Sequence, residues 1–191
     1  MITESIITTV NEDGTVHIAP MGVIWRDDRP VLAPFRPSTT LANLERSGTA
    51  VINYTDDVRV FAGGVTGRRD WPVVPVETIA GLRLQAALTH LEILVDTREG
   101  DDARPHFICK IVSDGVHGRF AGFNRAQAAV VEGAILVSRL HMLPREKIDR
   151  EMEYLTIAVS KTAGPREAEA WSWITQHVAA FYETAERERS A

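Results

Sequence analysis

A chain of 191 residues has room for one domain, or for one domain with a small appendage, and it can bury a core without disulfides. The net charge of −5 argues against a nucleic-acid partner, and no run approaches the roughly 20 apolar residues of a membrane helix. Cys109 is the single cysteine, so we expect no disulfide, no metal site and a cytoplasmic location.

The first half of the sequence alternates between strand-forming runs and turn residues. Residues 6–10 and 15–25 predict a hairpin about an Asn-Glu-Asp-Gly turn, and residues 31–35 predict a third strand. The next elements, in chain order, are a helix over 41–46 ended by Ser47-Gly48, a strand over 49–54, a long loop over 63–81 with at most one strand piece, and a hairpin with strands over 87–96 and 106–113. Closely spaced strands with one short helix are typical of a barrel or a sandwich.

In the last third of the sequence the spacing of apolar residues becomes helical. Asn124 is the predicted cap of a first helix, and Pro144 opens a second helix that Gly164-Pro165 ends. A third helix has an apolar stripe formed by Trp171, Ile174, Val178, Phe181 and Ala185. We therefore expect an α+β fold that is mainly β, with a β-rich domain over 1–122 and a helical subdomain over 123–191.

The segment that joins the third strand to the first helix carries a cation and several hydroxyls. Arg36 is a forked cation, and the residues at the start of the helix are Ser38, Thr39 and Thr40. A cation, hydroxyl donors and free N–H groups at a helix N-terminus suit a phosphate. The alternative is that one hydroxyl caps the helix while Arg36 is a solvated turn residue, and local chemistry leaves both open.

A second unusual segment interrupts the pattern of the second strand with the residues Ala19, Pro20, Met21, Gly22 and Val23. Pro20 argues against a fully paired central strand, and Gly22 lets another group approach the backbone. Unpaired backbone groups beside an apolar surface suit a flat heteroaromatic ring with polar edges. A bulged or kinked edge strand explains the same residues.

Asn53 lies in the strand over 49–54, where a buried amide needs partners. Its donor and its acceptor match a ring imide or, equally well, a neighbouring turn at Asp56-Asp57.

In the first predicted helix, Arg125, Glu132 and Arg139 recur at intervals of seven and share one face. That face is either solvated or a charged stripe that docks on the barrel or on a partner subunit.

The sequence lacks the common catalytic and nucleotide-binding motifs. It contains no Gly-x-Gly-x-x-Gly, P-loop, Gly-x-Ser-x-Gly or His-Glu-x-x-His pattern. Because no spacing requires a particular catalytic side chain, we name none.

Three segments together resemble the FMN-binding split barrels, the superfamily of flavin reductases and pyridoxamine-phosphate oxidases. They are HIAPMGV at 17–23, PFRPSTTLANL at 34–44 and TAVINYTDDVRVFA at 49–62. The sequence is most similar to a branch with a C-terminal helical extension, found in methanogens and in bacteria with tetrahydromethanopterin-linked metabolism. The segment FNRAQAAVVEGAILVSRL at 123–140 resembles a helix of that branch, and the resemblance covers most of the chain.

This resemblance implies an FMN-binding split β-barrel with a C-terminal helical extension, in a homodimer with the flavin near the interface. By position, the phosphate would be held by Arg36, Ser38, Thr39 and Thr40. The ring would lie against Ala19–Val23 with Asn53 near its polar edge, and Asn124 and Arg125 would touch the flavin or the partner.

The function implied by the resemblance is that of an FMN-dependent oxidoreductase. It would take hydride from a reductant such as NAD(P)H and pass it to a small planar substrate, for which a pterin is the candidate from the metabolism of that branch. The alternative is a flavin-binding carrier, sensor or assembly module that does not turn over.

Overall fold

Eight β-strands and five α-helices follow one another along residues 1–190, the part of the chain that the computed structural model describes. The strands are β1 (Ile2–Val10), β2 (Val16–Arg26), β3 (Arg29–Leu32), β4 (Thr49–Tyr54), β5 (Val73–Pro75), β6 (Leu82–Leu84), β7 (Thr89–Glu99) and β8 (His106–Val116). The helices are α1 (Thr39–Ser47), α2 (Arg59–Thr66), α3 (Arg125–Val137), α4 (Arg145–Thr162) and α5 (Pro165–Ser190).

Six of the strands close an antiparallel barrel in the order β1-β2-β3-β8-β7-β4. Alternate side chains face its interior, where a buried apolar cluster takes residues from every one of these strands. Leu41 and Leu44 of α1 belong to the same cluster, so α1 is packed onto the barrel. Burial of two leucine side chains is worth about 3–6 kcal/mol and fixes where α1 begins.

A small hairpin, β5–β6, covers polar side chains on the outside of the barrel. Thr8 of β1 donates to the carbonyl of Leu82 at 2.5 Å. Asn53 of β4 accepts from the backbone N–H of Leu84 at 2.8 Å. Since these barrel groups are buried, the hairpin and the barrel satisfy each other's hydrogen bonds.

By its contacts the chain forms two compact units. The first contains residues 1–56 and 70–120, and the second contains residues 57–69 and the chain from Ala121 onward. The predicted division into domains over 1–122 and 123–191 stays a prediction, because a spatial unit does not show what folds independently.

The second unit consists of α2, α3, α4 and α5. Helices α3 and α5 approach closely at Gly133, where a Cβ atom would lie 2.8 Å from the ring of Trp171. Arg59 of α2 forms ion pairs with Asp57 at 2.6 Å and with Glu169 of α5 at 3.1 Å. A small residue and an ion-pair network therefore hold this helical unit together.

The structure corrects the predicted arrangement after β4. The Gly63-Gly64 pair predicts a loop, since each glycine costs a helix about 1 kcal/mol, yet residues 59–66 form α2. Burial of Val60, Phe61 and Ala62 compensates for the glycines. The remainder of the predicted loop contains one short strand, β5, as expected, and its partner β6 begins just after the loop, at Leu82.

The structure confirms that β2 is not a fully paired central strand around Pro20, but it shows no bulge there. β2 pairs with β1 without a register shift from Val16 to Ile24, with Pro20 opposite Ile6. The proline is tolerated because β2 meets its other neighbour, β3, only over residues 24–26. The missing N–H of Pro20 therefore removes no pairing to β3.

Replacing Asn53 by alanine tests the polar layer between the barrel and the hairpin. It removes the acceptor of the Leu84 N–H, so the free energy of unfolding should fall by about 1–3 kcal/mol in a urea titration. Thr49→Ala, at the partly exposed start of the same strand, should change it by less than about 0.5 kcal/mol. Equal losses in the two variants would contradict a specific role for the Asn53 amide.

Candidate functional site

Helix α1 starts on the surface of the barrel unit with its hydroxyl residues in three different roles. Ser38 is the N-cap, with its Oγ accepting from the backbone N–H of Leu41 at 3.2 Å. Thr39 is exposed and Thr40 is buried. The first turn contains no acidic residue, so the positive end of the helix dipole is not neutralised there.

Arg36 lies just before this helix and is tied to two neighbours. Its Nη2 donates to the carboxylate of Glu45 at 2.6 Å, and its Nε donates to the carbonyl of Asp102 at 3.1 Å. Its Nη1 has no partner within residues 1–190. Arg36 therefore joins the β7–β8 loop to α1. Its side chain is 45% exposed, so the unpaired end of the guanidinium stays accessible to solvent.

Two further arginines, Arg98 and Arg104, lie at this place, and neither belongs to a sequence motif. Arg98 is 3.6 Å from Glu45, the carboxylate that Arg36 also binds. Arg104 lies 4.5 Å from the centre of the exposed Phe35 ring. Both belong to the β7–β8 hairpin, and no local sequence signal predicts that its tip folds back beside α1.

The predicted ring-binding segment, Ala19–Val23, lies in the middle of β2. Met21 and Val23 face the core cluster, whereas Pro20 and Gly22 face outward. Within the described residues no strand pairs with 16–23 on the side away from β1, so that edge of β2 is open. The open edge offers backbone hydrogen-bonding groups beside partly buried apolar side chains, as the sequence predicts.

The space beside Gly22 is already occupied. A Cβ atom at this position would lie 2.9 Å from the side chain of Ile2 and 3.5 Å from the carboxylate of Glu4. The glycine therefore admits β1 side chains to the outer face of β2. A flat ligand at this segment would have to use the open edge of the strand instead.

Asn53 is fully buried and its amide is used inside the barrel unit. The side-chain nitrogen donates to the carbonyl of Ile6 at 3.0 Å, and the oxygen accepts from Leu84. Its partners are not the turn at Asp56-Asp57 that the sequence offers as an alternative. The structure gives Asn53 a structural role and leaves it no surface for a ring.

Asn124 and Arg125 lie in the helical unit. Asn124 is the cap of α3, as predicted: its side chain accepts from the N–H groups of Ala126 and Gln127 and donates to the carbonyl of Thr162. Arg125 is exposed, and so are Glu132 and Arg139 farther along the same helix. The charged face is thus accessible, and whether a partner covers it stays a prediction.

Comparison with known proteins identifies the family. The N-terminal domain of the family described as "Protein of unknown function (DUF447)" matches residues 3–118, and a second DUF447 region matches residues 124–176. The chain belongs to the DUF447 family. None of the curated proteins matches the sequence of this DUF447 protein.

Solved structures share the fold of this DUF447 protein. An FMN-bound DUF447 protein from Methanosarcina mazei superposes with a TM-score of 0.81 at 20% identity, over 92% of this chain and 94% of that one. A 2-nitrobenzoate 2-nitroreductase from Pseudomonas fluorescens gives a TM-score of 0.51 at 20% identity, over 60% of this chain and 64% of that one. The flavin reductase of the styrene monooxygenase from Pseudomonas putida gives 0.50 at 14% identity, over 60% and 79%.

The fold of this DUF447 protein is therefore the FMN-binding split barrel with a C-terminal helical extension, as the sequence resemblance implies. The two flavin-enzyme structures each cover about three fifths of the chain, whereas the M. mazei protein covers nearly all of it. Among the helices of residues 1–190, none has the length and apolar character that crossing a membrane requires.

Proposed function

We propose that this protein binds FMN, with the phosphate at the N-terminus of α1. The observation that carries the proposal is the accessible start of α1 in a fold shared, over nearly the whole chain, with an FMN-bound member of the family. The phosphate would accept hydrogen bonds from the first N–H groups of the helix and from Ser38, Thr39 and Thr40. The free Nη1 of Arg36 would add a charge-assisted contact.

The residues at this site fit a phosphate group. The helix dipole there is not opposed by a first-turn carboxylate, and the guanidinium of Arg36 is held in place by Glu45 and Asp102. Arg98, which shares Glu45 with Arg36, adds positive charge nearby. A pre-positioned cation loses less side-chain entropy on binding than a free one, which favours affinity.

For the flavin ring we propose the open edge of β2 at Ala19–Val23. Backbone groups at this edge would serve the polar side of the ring, and the half-buried side chains would cover its faces. Asn53 supports this region only through the barrel, because its amide is already satisfied. Arg125 is exposed, so we retain the prediction that it contacts the flavin or the partner. Asn124 is used as the cap of α3, so we do not retain that prediction for it.

Bound FMN would supply hydride transfer, so we propose an oxidoreductase that acts in the cytoplasm as a homodimer with the flavin near the subunit interface. The chain's own contribution would be to bind, orient and shield the cofactor. A small planar substrate, with a pterin as the candidate class, would occupy the open face of the ring. Two flavin enzymes with the same fold support this choice over a carrier or a sensor.

A spectrum and a reduction assay test the activity. The purified protein should absorb between about 350 and 500 nm, and anaerobic NADH, NADPH or a reduced deazaflavin should bleach that absorbance. Bound flavin that none of these donors reduces would favour the non-catalytic module. A colourless protein whose melting temperature does not rise with added FMN would contradict flavin binding itself.

Comparing FMN with riboflavin tests the phosphate site, because the two ligands differ only in the phosphate. Arg36→Ala should weaken FMN by about tenfold or more, the equivalent of a charge-assisted contact of about 1.5–3 kcal/mol, and leave riboflavin affinity unchanged. Fluorescence quenching of the flavin measures both dissociation constants.

Arg46→Ala is the matched control for this variant. Arg46 lies in the last turn of the same helix, where it bonds to the carbonyl of Val10. Its loss should change neither dissociation constant by more than about twofold, a difference of about 0.4 kcal/mol. If Arg36→Ala weakens both ligands equally, Arg36 acts through the fold and the phosphate assignment is wrong.

A further inference from the structure

Three side chains of the barrel unit form a line from its buried polar layer to the surface. The carboxylate of Glu92 lies 3.7 Å from Nε2 of His90, and Nδ1 of His90 lies 2.8 Å from Nε2 of His117. Glu92 and His90 are buried, whereas His117 is exposed. The two imidazole rings are stacked, with centres 4.9 Å apart. The proposed flavin site uses none of these residues.

Glu92 is an ionised carboxylate in spite of its burial. Burial alone would raise its pKa, but the backbone N–H groups of Ile79, Thr78 and Glu77 donate to it at 2.8, 2.9 and 3.3 Å. These donors and Ser113 outweigh burial, so the pKa of Glu92 lies below its ordinary value. A fixed negative charge therefore sits at the inner end of the line.

This charge selects the tautomers of the two histidines. The separation of 3.7 Å is longer than a hydrogen bond, but the carboxylate still favours a proton on the facing Nε2 of His90. Nδ1 of His90 then has to accept, so Nε2 of His117 has to donate. The remaining nitrogen of His117, Nδ1, is left without a proton.

The backbone holds His90 in this orientation. Gly115 of β8 pairs with His90, and a Cβ atom at Gly115 would lie 2.6 Å from Cε1 of the His90 ring. Any other residue at this position would displace the imidazole. The glycine is therefore required for a close approach and not for its backbone angles, because its φ is not positive.

The outer end of the line can reach a ligand. Nδ1 of His117 has no hydrogen-bond partner within residues 1–190. Partial burial, the positive charge of Arg83 on β6 and the nearby His90 lower the pKa of His117 below its ordinary value. His117 is thus neutral near pH 7. The charged or titratable groups that act on it are Arg83 from β6 and His90 from β7, and Glu92 lies on the other side of His90.

We propose that His117 is a proton-transfer residue at a second site on the barrel, with its base at Nδ1 set by His90 and Glu92. A bound acid would give its proton to Nδ1 and keep the electron pair, and the resulting imidazolium would donate through Nε2 to His90. Return of the proton to the ligand or to water restores the neutral pair. Arg83 suits a ligand that carries an anionic group, so the site fits a small anionic C–H, N–H or O–H acid.

This proposal does not depend on FMN, and its first test needs no variant. Long-range ¹H–¹⁵N spectra of the imidazoles at pH 7.5, with and without FMN, should show His117 protonated at Nε2 and bare at Nδ1, and His90 protonated at Nε2. A proton on Nδ1 of His117, or a doubly protonated His117 at this pH, overturns the proposal.

The second test measures the reactivity of Nδ1 with diethyl pyrocarbonate, which acylates a bare imidazole nitrogen. The initial rate at His117, read by peptide mass spectrometry and normalised to the exposed His141, should fall about tenfold in Glu92→Gln, which corresponds to about one pKa unit. Gly115→Ala should give the same fall by displacing His90, and it leaves the hydrogen bonds of Glu92 to residues 77–79 in place.

Each of the two variants, Glu92→Gln and Gly115→Ala, tests the same prediction if the other variant does not fold. If Glu92→Gln loses its native circular dichroism, the outcome rests on Gly115→Ala and on the wild-type spectra. An unchanged rate at His117 in a folded variant would show that His90 and Glu92 do not control Nδ1. As a readout of base function, p-nitrophenyl acetate hydrolysis should be slower in His117→Gln than in His141→Gln, and equal rates would also count against the proposal.

Discussion

The burial of Leu41 and Leu44 in the barrel core is the constraint on which the proposed site depends. Two leucines one turn apart fix the position and the rotation of α1, and this leaves the first turn of the helix at the surface. Ser38 satisfies one of the N–H groups there, and the others stay available to a ligand. The proposed anion site therefore depends on how this short amphipathic helix is anchored.

The ion pair between Arg36 and Glu45 changes how the arginine is understood. From the sequence alone, Arg36 is a free cation that could bind a phosphate. In the structure its guanidinium already joins α1 to the β7–β8 loop. The two functions are compatible, because a guanidinium has several donors and only some of them are used. These contacts hold the side chain in place, which would favour ligand binding, and they would make the loop part of the proposed site.

Much of this architecture could be predicted from the sequence. The strand TAVINY at 49–54, the cap at Asn124 and the helix break at Gly164-Pro165 each carry a local signal, and the structure has each of them. Helix α2 could not be predicted in this way, because its glycines outweigh the local signal and only tertiary burial stabilises it. The strand over 87–96 was recognisable, but the role of Glu92 within it depends on a loop more than ten residues away.

In the proposed site, too, local sequence signals predict only part of the arrangement. Ser38 at a helix start is a local feature, whereas the positions of Arg98 and Arg104 depend on how a hairpin tip folds back. Asn53 illustrates the converse: a buried amide in a strand signals a need for partners, but the sequence does not say which ones. The structure supplies Ile6 and Leu84, so its role is in the fold and not at a ligand.

The central claim is that the start of α1 receives the phosphate of FMN, and the backbone amides of that turn report on it directly. In ¹H–¹⁵N spectra of the labelled protein, saturating FMN should shift the amide signals of Thr39 and Thr40 more than riboflavin does, and inorganic phosphate should shift the same two signals in the same direction. Equal shifts with FMN and riboflavin, or no shift at these two residues while FMN binds, would contradict the account.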